Sequence, residues 1–309
     1  MKYNHILNAL GKTPLVKVPL NAPCTIYAKL EYLSPGGSVK DRSASYMIEQ
    51  AEKKGLLKPG GTIIDASSGN QGIAIAMIGA AKGYKVIITV SEKSSQEKVA
   101  TIQAYGAHVV TCPATETIDD PRSYHSQAVA LHKETPNSFM PNQYFNVANQ
   151  EAHYSSLGPE IWQQTDGAIT HFFAGAGTGG TVSGAGRYLK EQNPAIQVLA
   201  VDSHHSYRAT NGHPKPYKIE GIGIDFISPV LDSTVIDDII EVTDEQAHGM
   251  LPTLAHKHGI LAGSSSGAVA YAAQEYARTL PADAIAVMIF GDSGRAYLTK
   301  NLYGEKHYE

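Results

Sequence analysis

The run PGGSVKDRS occupies residues 35–43 and places Lys40 between a glycine-rich turn and a predicted helix over residues 43–54. A lysine takes part in catalysis when its amine is uncharged and nucleophilic, as when it forms a Schiff base with a carbonyl compound. The start of a helix is partly positive, and both this charge and burial favour the uncharged amine. A surface lysine at a helix start has the same pattern, so the run alone leaves two interpretations open.

The composition predicts a globular protein with a sizeable core. The chain has 309 residues, 42% of them hydrophobic and 17% charged, and its formal net charge is −4. This length predicts one large domain or two medium ones. The mild charge argues against a nucleic-acid partner, and no apolar run is long enough to predict a membrane span. The amino terminus also lacks the pattern of a signal peptide.

Cysteine and histidine usage predicts a cytoplasmic protein without a metal. Cys24 and Cys112 lie far apart in the chain, which favours two buried free thiols over a disulfide. The 13 histidines are scattered, and the sequence has neither an HExxH motif nor a cluster of cysteine and histidine. We therefore expect neither a structural nor a catalytic metal.

Strand-like and helical runs alternate along the chain, which predicts an α/β fold with mostly parallel sheets. The strand-like runs are apolar on both faces, as expected for buried parallel strands. They cover residues 62–65, 85–90, 108–111, 168–173, 197–201 and 284–290. The helical runs include residues 73–82, 96–105 and 182–192. The segment 136–149 contains two prolines and four asparagines, and it predicts a boundary between two lobes near residue 150.

The run SSGNQG, residues 67–72, lies between a predicted strand and a predicted helix. Its hydroxyls, amide side chains and flexible backbone at a helix start can bind an anion such as a carboxylate. The same residue types are also typical of an ordinary helix cap, so this run alone favours neither interpretation.

The run GAGTGGT, residues 175–181, follows another predicted strand and leads into a helix. Glycines allow backbone N–H groups to approach a phosphate closely, and Thr178 and Thr181 add hydroxyl donors. The run also matches the G-x-G-x-x-G pattern, and Asp202 ends the next strand where a ribose-binding residue would lie. A nicotinamide dinucleotide is therefore an alternative ligand, although the two threonines favour a terminal phosphate monoester.

A third polar run, GDSGR at residues 291–295, also follows a predicted strand. Ser293 in this run can hydrogen-bond a ring nitrogen of a ligand. It can equally serve as a helix cap.

The chain resembles the fold type II pyridoxal-phosphate enzymes, the group of tryptophan synthase β. The resemblance lies in Lys40, the two loops at residues 67–72 and 175–181, and Ser293, which follow one another in the order found in that group. More narrowly, the chain resembles the cysteine synthase and cystathionine β-synthase family, from GKTPLV at residues 11–16 to YLTK at residues 297–300. The resemblance implies two three-layer α/β/α lobes with mostly parallel sheets and pyridoxal 5′-phosphate at the lobe interface. It also implies a smaller, mobile substrate-binding lobe at residues 41–150 and a larger phosphate-binding lobe of residues 1–40 and 151–309.

The resemblance further implies a role for each motif residue. Lys40 would hold the cofactor as a Schiff base and would then act as the catalytic base. The other cofactor-binding residues would be Asn70 at the phenolic oxygen, Ser293 at the pyridine nitrogen, and Gly177, Thr178, Gly179 and Thr181 at the phosphate. The substrate α-carboxylate would be bound by Ser67, Ser68, Gln71 and Gln143. Ser67 and Gln71 replace two threonines that the family usually carries in this loop.

Glu220, in the run IEGIGIDF at residues 219–226, indicates the reaction within the family. Cystathionine β-synthases tend to carry glutamate at this position, whereas cysteine synthases tend to carry glutamine. The hydroxide that leaves serine needs a proton, so a carboxyl group suits that substrate. The resemblance therefore implies cystathionine synthesis from L-serine and L-homocysteine, with Glu220 and Lys40 as catalytic residues. Alternatively, Glu220 caps a turn or pairs with Lys218 or Arg295.

Other functions stay open on the sequence alone. A cysteine synthase would use O-acetylserine and sulfide, a serine or threonine dehydratase would release a keto acid, and a dehydrogenase would bind NAD at residues 175–180. Ile224 also stands where cystathionine β-synthases usually carry tyrosine. By resemblance we expect a homodimer that acts on small amino-acid and thiol substrates. Because the family core begins near Met1 and ends near Glu309, we expect regulation by neither haem nor adenosylmethionine.

Overall fold

The computed structural model describes residues 2–115, 117 and 119–304. Within these ranges the helices are α1 (Lys40–Lys53), α2 (Asn70–Lys82), α3 (Gln96–Ala104), α4 (Tyr124–Glu134), α5 (Ala148–Ser155), α6 (Leu157–Gln164), α7 (Gly180–Gln192), α8 (Asp244–His258) and α9 (Ser264–Ala277). The strands are β1 (Leu15–Lys17), β2 (Thr25–Leu30), β3 (Thr62–Ala66), β4 (Lys85–Ser91), β5 (His108–Cys112), β6 (Ser138–Phe139), β7 (His171–Gly175), β8 (Gln197–Ser203), β9 (Asp238–Val242) and β10 (Ile285–Phe290). Short 3₁₀ helices cover Ile6–Ala9, Glu31–Leu33 and Gly294–Lys300.

The chain forms two compact units. The first contains Met1–Leu10 and Ser34–Ala148, and the second contains Gly11–Leu33 and Asn149–Glu309. The lobes expected from the sequence differ from these units mainly at residues 1–10 and 34–40, which belong to the first unit together with the rest of α1.

The first unit is built on a parallel sheet with the strand order β5-β4-β3-β6 among its described residues. Apolar side chains of α1, α2, β3 and β4 pack together into its core, including those of Ile48, Ile75, Ile63 and Ile88. Internal strand β3 ends at Ala66, and α2 begins at Asn70. The SSGNQG run therefore lies at the carboxyl end of a parallel strand, where α/β proteins bind their ligands.

The second unit has a larger sheet, with the order β1-β2-β10-β7-β8-β9 among the described strands. Only β1 runs antiparallel within this order, and the other pairs are parallel. Two neighbouring residues of β7 belong to different hydrophobic clusters. Phe173 packs with residues of α8 and α9, whereas Phe172 packs with residues of α6 and α7. Because side chains alternate along a strand, helices cover both faces of this sheet. The predicted α/β class is confirmed.

The apolar patterns of the sequence locate six of the strands but miss β1, β2, β6 and β9. The case of β2 has a clear physical reason, because Lys29 in this strand is fully buried. Its ammonium donates to the backbone oxygen of Thr13 at 2.6 Å and to the side chains of Glu160 and Gln164, both at 2.9 Å. These partners are distant in sequence, so the lysine looks like a surface residue until the chain is folded.

Two expectations about the whole chain can be compared with the described residues. None of the helices in the described ranges is both long and apolar enough to cross a membrane. Cys24 and Cys112 are free thiols, of which Cys112 is buried and Cys24 is partly exposed. Burial raises the pKa of both thiols, which reduces their reactivity.

Candidate active site

Lys40 is the first residue of α1 and follows a tight turn. The Asp41 carboxylate accepts a hydrogen bond from the backbone N–H of Gly36 at 2.7 Å. A Cβ atom on Gly36 would collide with the same carboxylate, so this turn requires glycine. The Lys40 side chain is partly buried, and its backbone N–H donates to the Ser38 hydroxyl at 3.3 Å. The predicted placement of Lys40 at a helix start is confirmed, while its covalent role stays a prediction.

The SSGNQG run connects β3 to α2, and two of its residues begin the helix. The Ser67 hydroxyl accepts from the backbone N–H of Gly72 at 3.1 Å, which closes the loop onto the first turn. Gln71 is only 1% exposed, yet neither polar atom of its amide has a hydrogen-bond partner among the described residues. A buried amide without a partner is unfavourable by about 1–3 kcal/mol. This loop therefore has the properties of a site that a polar ligand completes.

Asp65, two residues before that loop, is a buried acid that the sequence analysis missed. Its side chain is 2% exposed, and it lies near the backbone of Asn142, the residue before Gln143. Burial raises the pKa of the Asp65 carboxyl to about 7. The sequence does contain a sign of this buried acid, because Asp65 is a charged residue within the otherwise apolar run of strand β3.

The GAGTGGT run forms the turn between β7 and α7. Gly179 adopts a left-handed conformation with φ of 88° directly before the helix, and the first N–H of α7, that of Gly180, donates to the Thr178 hydroxyl at 3.3 Å. The Thr178 hydroxyl accepts from the Asn149 amide at 3.1 Å, and the Thr181 hydroxyl lies 3.3 Å from the His153 Nε2 atom. Sequence reasoning missed both of these α5 residues, because no local motif marks them. They orient the two threonine hydroxyls at the start of α7.

A second glycine-containing segment, residues 220–223, packs directly on this turn. The backbone N–H of Gly223 donates to the Ala176 oxygen at 2.9 Å. A Cβ atom on Gly177 would lie 2.7 Å from the backbone oxygen of Gly221. Because two backbones approach this closely, the loop at 175–181 and the segment at 220–223 depend on each other's geometry.

Glu220 at the start of that segment forms an ion pair with Lys300. Lys300 is not among the two partners considered from the sequence, Lys218 and Arg295. Both side chains of the pair are partly exposed, and Lys300 also lies 5.9 Å from the ring centroid of Tyr297. An adjacent ammonium favours the charged form of a carboxylate, which opposes a role of Glu220 as a proton donor.

Ser293 and Ser265 are two hydroxyl groups in the same unit with different surroundings. The Ser293 hydroxyl accepts from the backbone N–H of Arg295 at 3.3 Å and caps the following 3₁₀ helix. Ser265, in the first turn of α9, has its hydroxyl beside Gly221, 3.4 Å from where a Cβ atom would stand. The assignment of Ser293 to a ring nitrogen stays a prediction, and Ser265 is a second candidate that sequence reasoning missed.

Asp202 does not have the free carboxylate that a ribose-binding residue requires. It is fully buried and accepts from the backbone N–H groups of Ser203 at 2.8 Å and Ile224 at 2.9 Å. It also accepts from Ser206 at 2.7 Å and from Arg208 at 2.9 Å. These contacts hold the loop that leads to the 220–223 segment, and they argue against nicotinamide binding.

A lysine at a helix start and two polar strand-to-helix turns, one of them with the composition of a phosphate site, are the features expected of a fold type II pyridoxal-phosphate enzyme. The family described as "Pyridoxal-phosphate dependent enzyme" matches residues 6–292, and the chain belongs to it. It is a pyridoxal-phosphate enzyme of the cysteine synthase and cystathionine β-synthase type, which catalyses β-replacement or β-elimination.

Similar proteins include members of both subgroups. A cystathionine beta-synthase of Apis mellifera is 47% identical over 305 residues, which are 96% of this chain and 60% of the relative. A cysteine synthase of Staphylococcus aureus (strain Mu50 / ATCC 700699) is 43% identical over 97% of both chains. The crystal structure of O-acetylserine dependent cystathionine beta-synthase from Helicobacter pylori has a TM-score of 0.90 and 40% identity, covering 98% of this chain and 99% of that chain.

The residues of the GAGTGGT turn fit the phosphate of this cofactor. Two oriented hydroxyls, the N–H groups of a helix start and a glycine backbone are donors that suit a phosphate monoester. The glycine at position 177 is also needed for the backbone contact with Gly221. The described residues of this turn therefore fit the phosphate of the cofactor.

We expect Gly177→Ala to weaken pyridoxal-phosphate binding about tenfold or more, because the added Cβ atom must displace either the loop or Gly221. To measure this, the cofactor is removed from the purified protein and titrated back, and its dissociation constant is obtained from the change in absorbance. Gly249→Ala is the matched control in the same unit, since a Cβ atom there meets nothing within 4 Å. Equal cofactor affinity in the two variants would contradict the role of this close approach.

The two serine candidates make different predictions for the ring nitrogen. We expect Ser265→Ala to lower turnover about tenfold or more and to change the cofactor absorbance. The reason is that the Ser265 hydroxyl lies next to Gly221, in the segment 220–223 that packs on the GAGTGGT turn. Ser293→Ala should alter turnover less and should mainly lower the unfolding midpoint through loss of a cap. A larger effect of Ser293→Ala on absorbance would support the original assignment instead.

We expect Asp65→Asn to stabilise the first unit more strongly at about pH 8 than at about pH 5. The folded pKa of Asp65, about 7, exceeds the ordinary value of 3.8, so the folded state keeps a proton that the unfolded state releases between these values. Stability therefore falls as the pH rises through this window, by roughly 4 kcal/mol at most. Urea unfolding across this range measures the effect, and Asp120→Asn, at a surface ion pair, should leave the pH dependence in place.

Proposed function

We propose that the protein is a cystathionine β-synthase that replaces the β-hydroxyl of L-serine with the thiol of L-homocysteine. The observation that carries the proposal is Glu220, which lies on the segment packed against the phosphate loop. A carboxyl group near the reacting carbons suits serine, whose hydroxide leaving group needs a proton. The similarity to the cystathionine beta-synthase of Apis mellifera supports the same choice.

In this proposal side chains of the first unit bind and activate the amino acid. The cofactor, when bound, supplies an electron sink that makes the α-proton of the amino acid acidic. Lys40 would bind the cofactor covalently, and its Nζ atom would accept the α-proton once the substrate amine has replaced it. Ser67, Ser68, Gln71 and Gln143 would bind the α-carboxylate. The unpartnered amide of Gln71 is consistent with this role, because its N–H groups can donate to a carboxylate.

A second candidate function uses O-acetylserine in place of serine. The ion pair between Glu220 and Lys300 favours it, since a charged carboxylate has no proton to donate and acetate leaves without one. The cysteine synthase similarity and the named substrate of the Helicobacter pylori enzyme are consistent with this alternative. In both candidates we propose a homodimer, by likeness to the family.

The test combines two amino acids with two thiols. Purified holoenzyme is assayed with L-serine or O-acetyl-L-serine, each with L-homocysteine or sulfide, and kcat/KM is measured for every pair. We expect L-serine with L-homocysteine to be preferred, and we expect Glu220→Gln to lower turnover of serine far more than that of O-acetylserine. Preference for O-acetylserine in the wild type and unchanged serine turnover in Glu220→Gln would support the second candidate.

Lys40→Ala is the control for the chemistry common to both candidates. We expect it to abolish turnover and to remove the violet absorbance band of the bound cofactor, because the covalent link is lost. Mass spectrometry after borohydride reduction should find the added mass on Lys40 in the wild type. An added mass on another residue would contradict the assignment of Lys40.

A further inference from the structure

The Thr178 hydroxyl, just before α7, accepts two hydrogen bonds. Its donors are the side-chain amide of Asn149 at 3.1 Å and the backbone N–H of Gly180 at 3.3 Å. A hydroxyl has two lone pairs and one O–H group, so these donors occupy both of its acceptor positions. The O–H hydrogen must therefore point away from Asn149 and Gly180. Thr178 can act toward any third partner only as a donor.

This third partner is not part of the described protein. Among residues 2–115, 117 and 119–304, the Thr178 hydroxyl makes no other hydrogen bond. Thr178 is 5% exposed, and a buried donor without an acceptor is unfavourable by about 1–3 kcal/mol. The early N–H groups of α7 and the glycine backbone before it are donors as well. A ligand that carries oxygen acceptors and no donors fits these groups, as a phosphate dianion does.

Asn149 is packed directly against the start of α7. It is 1% exposed, and a Cβ atom on Gly180 would lie 2.2 Å from its Oδ1 atom. One turn further along α7, a Cβ atom on Gly184 would lie 2.1 Å from the backbone oxygen of Gln150. The two glycines thus allow α5 and α7 to approach closely, and this packing fixes the amide beside Thr178. All of these residues belong to the second unit.

The other threonine of the GAGTGGT turn has no fixed polarity. The Thr181 hydroxyl lies 3.3 Å from the His153 Nε2 atom, which donates or accepts according to the tautomer of the ring. Asn149 presents its Nδ2 atom to Thr178, and this atom can only donate. Asn149 is therefore the side chain that determines the direction of a hydroxyl in this turn.

We propose that Asn149 is a positioning residue for the cofactor, which commits the Thr178 hydroxyl to donate to the phosphate group. Asn149 acts through Thr178, and the phosphate contact itself is made by the threonine. The inference rests on the proposed phosphate role of the GAGTGGT turn. It holds for either of the two candidate amino-acid substrates, because both reactions use the same cofactor.

The test compares pyridoxal 5′-phosphate with pyridoxal, which lacks the phosphate group. Each is titrated into protein from which the cofactor has been removed, and the dissociation constants are obtained from the change in absorbance. The constant for pyridoxal divided by that for pyridoxal 5′-phosphate measures what the phosphate contributes, since both ligands carry the same aldehyde. This quotient is called the phosphate ratio below.

We expect Asn149→Asp to lower the phosphate ratio about tenfold or more, the effect of one hydrogen bond to a charged group. Aspartate has the shape of asparagine but only accepts, so the Thr178 hydroxyl turns toward it and directs a lone pair at the phosphate. Asn149→Leu removes the donor without adding an acceptor and should lower the ratio less, about threefold. Affinity for pyridoxal should not change in either variant.

A double-mutant cycle with Thr178→Val separates the direction of the hydroxyl from repulsion between two negative charges. Valine has the shape of threonine without the hydroxyl, so Asn149→Asp should lower the phosphate ratio much less in the Thr178→Val background. Asn193→Asp is the matched control. Asn193 is exposed directly after α7, and its Oδ1 atom already serves as an acceptor, from the backbone N–H of Ala195. This control should leave the ratio unchanged.

Phosphorus NMR of the holoenzyme provides a second readout, which requires no substrate. Donors around a phosphate favour its dianion, whereas a lone pair directed at it favours the protonated form. In the wild type we expect one chemical shift of the bound phosphate between about pH 6 and pH 8, the range in which a free phosphate monoester completes its second ionisation. In Asn149→Asp the shift should change with pH across this range.

Three outcomes overturn the inference. The first is an unchanged phosphate ratio in Asn149→Asp, or in Asn149→Leu if the aspartate variant does not fold. The second is an equal fall of the ratio with and without the Thr178 hydroxyl, which would indicate charge repulsion or a general effect on the turn. The third is an equal loss of affinity for pyridoxal and its phosphate. Failure of serine to react with homocysteine would overturn the proposed function alone, because this test contains no substrate.

Discussion

The first backbone N–H groups of a helix have no partner within the helix and must be satisfied by a side chain, water or a ligand. In α3, α4 and α8 a serine or threonine provides this cap, from Ser95, Ser123 and Thr243. In α1, α2 and α7 the residue directly before the helix provides no such bond. One early N–H of each of these helices donates instead to a hydroxyl further back in the loop, that of Ser38, Ser67 or Thr178. The start of a helix is partly positive, and its other early N–H groups suit a carboxylate or a phosphate. The glycine, serine and threonine residues at these positions follow from that requirement.

Close backbone approach is the second constraint in the larger unit. Gly177 contacts the backbone of Gly221, and a Cβ atom on Gly175 would lie 2.6 Å from the Ile222 side chain. Through these contacts the phosphate turn and the segment that starts at Glu220 form one packed element. Directly after this segment, the backbone N–H of Ile224 donates to the Asp202 carboxylate at 2.9 Å, which holds the segment in place. Glu220, which we propose selects the substrate, is in this way attached to the loop that we propose binds the cofactor phosphate. The close approach of the two backbones explains why both runs are rich in glycine.

Sequence patterns were most informative where chemistry depends on consecutive residues. The strand-to-helix turns at 67–72 and 175–181 lie where the pattern predicts them, although α2 begins at Asn70 and not at residue 73. The difference arises because serine, glycine and asparagine are poor helix formers in isolation, while tertiary packing extends the helix through them. Strand β2 was missed for the related reason that a buried lysine interrupts its apolar pattern.

The sequence by itself determined the α/β class, the position of Lys40 at a helix start and the two polar strand-to-helix turns, because each depends on a few adjacent residues. Only the tertiary structure decided which distant groups complete them. Asn149 and His153 orient the threonines of the phosphate turn, and Lys300 pairs with Glu220. These contacts join residues far apart in the chain, and their geometry is set by packing, which no local pattern encodes.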